Sequence, residues 1–160
     1  MKQPKTENCI ILPDIRSSYN IGSIFRTADA VGVSKIFLAG YTPCPLDKFK
    51  RQNKEIAKTA LGAEKTVEWK HVDDIFQLLE TLKKSGFQII AIEQSENSVD
   101  YKDVELKEKN AFLFGSEIGG VSKQILEKCD VIAEIPMLGK KESLNVSVSV
   151  GVAMFRICGI

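Results

Sequence analysis

The sequence predicts an α/β fold built on a parallel sheet. Two observations carry this. Short, almost wholly apolar runs of strand length recur along the chain, and between them lie segments whose apolar residues repeat at helical spacing. Strands that alternate with helices pair in parallel, and the helices cover both faces of the sheet. A length of 160 residues suits one domain whose core needs no staples.

The elements follow in order. "CIILP", from Cys9, is a first strand. In "NIGSIFRTADAVG", Ile21, Ile24, Phe25, Ala28 and Val31 fall on one helical face, with Asn20 as N-cap and Gly32 at the left-handed C-terminal position. "KIFLAG" is a strand ending at Gly40, and "GYTPCPLDKF", residues 40–49, is the one long loop. "VDDIFQLLETLKKSG" is a helix with Ile75, Leu78, Leu79 and Leu82 on one face and Gly86 as its stop. "FQIIAIE" and "NAFLFG" are strands, "SKQILEKC" is a short helix, and "DVIAEIP" is a strand ended by Pro136. The last segment, "SLNVSVSVGVAMF", admits two readings. Valine at every second position from Val146 to Val152 is the period of a half-buried strand; Ser143 as N-cap would instead open a helix.

Composition excludes several function classes. Hydrophobic residues make up 44% and charged residues 27%, and the net charge is +1, so any contact with nucleic acid must rest on a local patch. None of the four cysteines forms a Cys-x-x-Cys pair, which points to buried thiols in a reducing, cytoplasmic setting. The opening "MKQPKTENCIILPD" has an apolar run too short for a signal peptide or a membrane span. His71 is the single histidine and reads as a loop residue beside a strand end. The sequence shows no His-x-x-x-His pair, Ser-His-Asp set or zinc cluster, and no metal is expected. Chemistry here must use a reactive cofactor or other side chains.

Ligands of such sheets bind beyond the carboxyl ends of the strands. Four features stand out. Arg26 reads either as a surface arginine or as a residue bordering a cleft beside Phe25. "LFGSEIGGVS" is a glycine-rich strand-to-helix turn holding Glu117; it matches neither the dinucleotide fingerprint nor a phosphate-binding P-loop. "EIPMLGKKESLN" is an apolar loop at a strand end, either a ring-binding wall or a core crossover. In "DKFKRQNKEIAK" the basic Lys48, Lys50, Arg51, Lys54 and Lys58 outnumber Asp47 and Glu55. That run is either a solvated helix face or a surface for phosphates.

Taken in order, "NIGSIFRTADAVG", "LFGSEIGGVS" and "IPMLGKKESLNVSVSVGVA" resemble the three motifs of the SpoU (TrmH-like) RNA ribose methyltransferases of the SPOUT superfamily. "KTALGAEKTVEW" is similar to a segment common between the first two, and the match spans Ile10 to Phe155. The resemblance implies an α/β/α parallel sheet whose C-terminal segment threads a deep trefoil knot, a feature otherwise essentially absent from proteins. It implies S-adenosyl-L-methionine held by the knotted loops, a homodimer with active sites at its interface, and transfer of a methyl group to a ribose 2′-hydroxyl of tRNA or rRNA. Asn20 and Arg26 match the polar residues of the first motif, Glu117 the acid of the second, and Ser143 and Asn145 the polar pair of the third. Ile92, Glu93, Gly115, Ile135, Met137 and Leu144 would hold the cofactor, and Arg16, Lys50, Arg51 and Lys54 are the RNA-binding candidates. The family's mechanism casts the arginine as a base. A guanidinium stays protonated at neutral pH, which argues against a base and suits instead a phosphate clamp that stabilises the developing alkoxide.

The expectation is one catalytic domain over residues 1–160, without a separate RNA-binding domain. For the valine segment the resemblance chooses the helix, over residues 144–157. Its lines Leu144/Val148/Phe155 and Val146/Val150/Ala153 leave it apolar on most sides, so it needs the sheet on one side and a dimer partner on the other. Two rivals remain: a non-catalytic RNA-binding protein that keeps the fold, and a nucleotide-binding oxidoreductase domain, for which "LPDIRSSYNIG" supplies no glycine fingerprint.

Overall fold

Continuous apolar runs, buried at nearly every position, build a sheet that is covered on both sides. The computed structural model describes residues 5–160; residues 1–4, part of the stretch read above as too short for a leader, lie outside them. The strands are β1 (Glu7–Pro13), β2 (Lys35–Ala39), β3 (Glu68–Val72), β4 (Gln88–Ile92), β5 (Val99–Asp100), β6 (Lys109–Phe114) and β7 (Val131–Glu134). They form one sheet in the order β3-β2-β1-β6-β4-β7-β5, with every neighbouring pair parallel. The helices are α1 (Ser18–Val31), α2 (Lys54–Ala60), α3 (Ala63–Thr66), α4 (Ile75–Lys84), α5 (Lys123–Leu126) and α6 (Val146–Ile157).

The pleat divides each central strand between two cores. Ile10, Leu12, Phe112 and Phe114 pack with Ile21, Ile24 and Phe25 of α1 and with Val150, Ala153 and Met154 of α6. Cys9, Ile11, Ala111 and Leu113 pack on the other face against Leu78, Leu79 and Leu82 of α4. The result is the three-layer α/β/α arrangement expected. The strand order reverses at β1, which is flanked by β2 and β6, and crevices at such a switch point hold ligands.

Several boundaries differ from the sequence reading. The N-cap of α1 is Ser17, whose hydroxyl accepts from the Asn20 amide; Asn20 lies inside the first turn, and its side chain is used elsewhere. Gly32 does end α1, with φ 74°. The final segment is a helix, and a strand is excluded. It begins at Val146, however, because the Asn145 side chain accepts from Ser147 N–H and so takes the cap assigned to Ser143. His71 lies in β3, not in a loop. β3 is an edge strand with an exposed, polar face, so its sequence lacks an apolar run. The short α2 and α3 were likewise invisible as periodic patterns.

The inner line of α6, Val146, Val150 and Ala153, is buried, whereas Val148, Val152 and Phe155 form an exposed apolar stripe. The four cysteines are free. Burial pushes the Cys9 thiol up to about 12 and the Cys129 thiol up to about 11, so both stay protonated at neutral pH. Among the described residues no helix is long and apolar enough to cross a membrane, and no group of histidine, cysteine and carboxylate side chains is arranged to hold a metal.

Candidate functional site

The loops that leave β4, β6 and β7 at their carboxyl ends enclose a cavity of about 720 Å3. Side chains tie these loops to one another. Glu93 follows β4; its Oε1 accepts from Gln94 N–H at 2.9 Å, and its Oε2 accepts from Val121 N–H in the β6 loop at 2.9 Å. The Gln94 side-chain amide donates to the Glu142 carbonyl in the β7 loop at 2.7 Å. The β6 loop folds back on itself, with Ser116 and Gly120 exchanging backbone hydrogen bonds.

Two glycines make that closure possible. A Cβ on Gly115 would stand 2.6 Å from the Gly120 carbonyl carbon, and Gly120 has φ 59° with the Glu93 carboxylate against the place a side chain would occupy. Only residues without a Cβ admit this approach.

The three polar motifs meet at the mouth. Ser147 N–H donates to Asn145 Oδ1 (2.9 Å), Asn145 Nδ2 donates to Asn20 Oδ1 (3.3 Å), and Asn20 Nδ2 donates to Glu117 Oε1 (3.2 Å). A carboxylate only accepts, so Asn20 must turn its amide nitrogen to Glu117 and its oxygen to Asn145; the relay fixes both amide orientations. Arg16 N–H adds a long 3.5 Å contact to Glu117 Oε2, and the positive end of α1 favours a carboxylate there. The loop that carries Arg16 is held by Thr42, a buried hydroxyl that accepts from Ile15 N–H and donates to the Leu12 carbonyl.

Ile92, Glu93, Gly115, Ile135, Met137 and Leu144 all line the cavity, as do Glu117, Ser143 and Asn145. The apolar members form walls able to hold a flat ring. Three acidic residues, Glu93, Glu117 and Glu142, are among those that line it, and no lysine or arginine is. In a concave site, one sign of charge attracts the opposite one. The arrangement therefore suits a ligand that is partly flat and apolar and carries positive charge.

Other candidates lie elsewhere. Arg26 is exposed, does not line this cavity, and has no hydrogen bond or ion pair among the described residues. It stands six residues beyond Asn20, about 9 Å along α1. Lys50 and Arg51 sit on the loop before α2, and Lys54 begins that helix. Arg51 is engaged by Asp47 at 2.8 Å, so the basic run is less free than its residue count suggests. The loop-tying residues Gln94 and Thr42 were not singled out from the sequence. Both follow strand ends, which is the signal that could have found them.

Comparison with known proteins gives a consistent picture. A model of the SpoU rRNA methylase family matches residues 7–155. A curated TrmH family protein of Staphylococcus saprophyticus, a tRNA/rRNA methyltransferase by name, is 34% identical over 155 residues, which is 97% of this chain and 59% of that protein. The crystal structure of an AdoMet-bound rRNA methyltransferase from Sinorhizobium meliloti superposes with a TM-score of 0.86 at 26% identity, covering 97% of this chain and 57% of that one. A TrmH/SpoU tRNA modifying enzyme of A. aeolicus gives 0.83 at 30% identity, covering 98% and 75%. The chain thus spans about three fifths of the length of the curated relatives it matches.

Proposed function

The chain belongs to the SpoU rRNA methylase family, and from that membership we propose that it is an S-adenosylmethionine-dependent methyltransferase acting on a ribose 2′-hydroxyl of tRNA or rRNA in the cytoplasm. The observation that carries this reading is the charge of the cavity. S-adenosylmethionine bears a sulfonium and an ammonium against one carboxylate, and a lining of Glu93, Glu117 and Glu142 without a cation complements it. The phosphates of a dinucleotide would meet those same carboxylates, which argues against the oxidoreductase reading. Ile92, Ile135, Met137 and Leu144 would hold the adenine, and Gly115, which also lines the cavity, lets the β6 loop close on itself beside it.

When bound, the cofactor would supply a methyl group on a positively charged sulfur, which would keep the electron pair of the broken carbon–sulfur bond as a neutral thioether, while the proton of the 2′-hydroxyl would pass to solvent water. The chain's own part is placement. The Asn145–Asn20–Glu117 relay holds the mouth of the cavity in one geometry, and Ser143 stands at its rim beside the incoming ribose. Arg26 clamps the adjoining phosphate and stabilises the oxyanion as it forms.

The same reading includes a homodimer and a knotted C-terminal segment. The exposed stripe Val148, Val152 and Phe155 supports the dimer, because an apolar helix face of this kind is stabilised by cover. In this arrangement Arg26, remote from its own cavity, serves that of the partner subunit. The Gln94–Glu142 hydrogen bond, which binds the segment after β7 to the loop after β4, supports the knot.

Calorimetric titration with S-adenosylmethionine, followed by nucleoside mass spectrometry of RNA incubated with protein and cofactor, tests the proposal. Saturable binding and a new 2′-O-methyl nucleoside are expected. RNA binding without cofactor binding would favour the non-catalytic alternative.

A further inference from the structure

The loop between β2 and α2 carries a feature that the cofactor site does not use. Phe49 stands at its tip, 66% exposed. Lys48 Nζ and Arg51 Cζ each lie 5.1 Å from the centroid of its ring. An exposed phenylalanine beside two cations takes no part in the core.

The loop is rigidly built around this tip. Asp47 Oδ1 accepts from the backbone N–H groups of Phe49 (2.8 Å) and Arg51 (2.9 Å), while Oδ2 takes the Arg51 guanidinium at 2.8 Å. Asp47 N–H donates to the Arg51 carbonyl, Lys50 N–H returns to the Asp47 carbonyl, and Asn53 N–H closes the loop on the Pro45 carbonyl. Lys50 adopts φ 60° to make the turn. Beneath the tip opens a cleft of about 660 Å3 lined by Cys44, Lys48, Arg51, Trp69 and His71. Its position is fixed from below, since His71 Nε2 donates to the Gly40 carbonyl at 2.7 Å. Lys48 and Lys50 make no ion pair among the described residues, so both remain available to phosphates.

This loop also faces the same rim of the sheet as the cofactor cavity. Asn53 Nδ2 donates to Ser18 Oγ at the start of α1, and two residues further on Asn20 reaches Glu117. The ends of β2 and β6 are two strand spacings apart, about 10 Å. A strand held at Phe49 and led across Ser18 arrives at the mouth of the cavity.

We propose that Phe49 is a stacking platform for an unpaired base of the RNA, a few nucleotides from the methylated one, with Lys48 and Lys50 taking the adjoining phosphates. This rests on the RNA reading above. An aromatic face flanked by cations is the combination that holds single-stranded nucleic acid without reading its sequence.

Fluorescence anisotropy tests this with total tRNA, a short mixed-sequence single-stranded RNA, and the same oligonucleotide carrying abasic residues. Stacking contributes enough that Phe49→Ala should bind the intact single strand about 5- to 150-fold more weakly, with Phe49→Trp close to the parent. The abasic strand should bind the parent and Phe49→Ala alike. Phe49→Ala should leave the salt slope unchanged, whereas Lys48→Gln/Lys50→Gln should flatten it by about 1.4 in log–log units. Parent-like affinity of Phe49→Ala, or an equal loss on the abasic strand, overturns the platform while the RNA reading stands. No RNA binding by the parent overturns both, and cofactor titration then shows whether the enzyme reading survives. Dissociation of the Phe49→Ala oligomer in ultracentrifugation overturns the platform in favour of a subunit contact.

Discussion

The side-chain amide of Asn20 donates to the Glu117 carboxylate at 3.2 Å, although 97 positions separate them in the chain. The contact joins the start of α1 to the loop after β6, and Asn145 extends it to the start of α6. Three motifs scattered along the sequence thus close one edge of a single cavity. Glu117 is both the end of this relay and part of the cavity's negative lining.

Glu117→Gln separates those two roles. Glutamine keeps an acceptor for Asn20 but loses the charge. A charge-assisted contact contributes about 1.5–3 kcal/mol, so affinity for S-adenosylmethionine should fall roughly 10- to 150-fold. S-adenosylhomocysteine lacks the sulfonium and should lose much less. Calorimetry with both ligands decides; an equal loss for the two would show that shape, not charge, governs the site.

Glu93 joins two loops through two backbone N–H groups. Glu93→Ala leaves the Val121 N–H without its acceptor, a cost of about 1–3 kcal/mol. At this size each kcal/mol lowers Tm by about 2–4 °C. Glu93→Gln retains an acceptor oxygen and should recover much of the loss. Thermal melts and hydrogen exchange at Val121 measure it. Unchanged exchange at Val121 in Glu93→Ala would mean that the loop holds itself.

How far the sequence reveals this arrangement depends on where each residue sits. β1, β2, β4 and β6 are legible because burial keeps polar residues few along them, and β7 because its run Val131–Ala133 is apolar. β3 is not, since an edge strand keeps a wet face, and Glu68, Lys70 and His71 hide it. The valines of α6 show the opposite failure. Their period of two is real in the sequence, but Val146 and Val150 face the core while Val148 and Val152 face outward, because 3.6 residues complete a turn. The walls of the cavity follow from the strand-end rule and the motifs. The Asn145–Asn20 and Gln94–Glu142 contacts do not, since they span 125 and 48 residues and exist only once the sheet is assembled.

Cys9 gives a pH dependence with a definite sign. Its thiol is raised by burial from 9.0 to about 12, so the unfolded chain loses the proton first as pH rises. The contribution to stability is therefore complete below pH 9 and is lost between about pH 9 and 12. Three pH units at 1.36 kcal/mol each make this about 4 kcal/mol at most, as an order of magnitude. Cys9→Ala should show a shallower fall in Tm over that range than the parent. Parallel curves would mean that Cys9 does not resist ionisation in the fold. At neutral pH Cys9 should react with thiol reagents only after denaturation.

Arg26 carries the last prediction, because it stands apart from the residues it is proposed to serve. Arg26→Ala should fold, bind S-adenosylmethionine as the parent does, and methylate RNA about 100- to 1,000-fold more slowly, the usual loss for a group that stabilises developing charge. Mixing then asks which cavity it serves. In a heterodimer of Arg26→Ala and Glu117→Gln chains, one cavity has an intact Glu117 and faces the intact Arg26 of the other chain. If Arg26 acts across the interface, one complete site forms, and at a cofactor concentration too low to fill the Glu117→Gln cavity the mixture exceeds the activity of either variant alone. If Arg26 acts within its own chain, every site keeps a defect and nothing is regained. Val152→Glu, which sets a charge in the exposed stripe of α6, should abolish the recovery by preventing the chains from pairing. Sedimentation of the same samples shows whether they pair, so absent recovery in a sample that does pair counts directly against a shared active site.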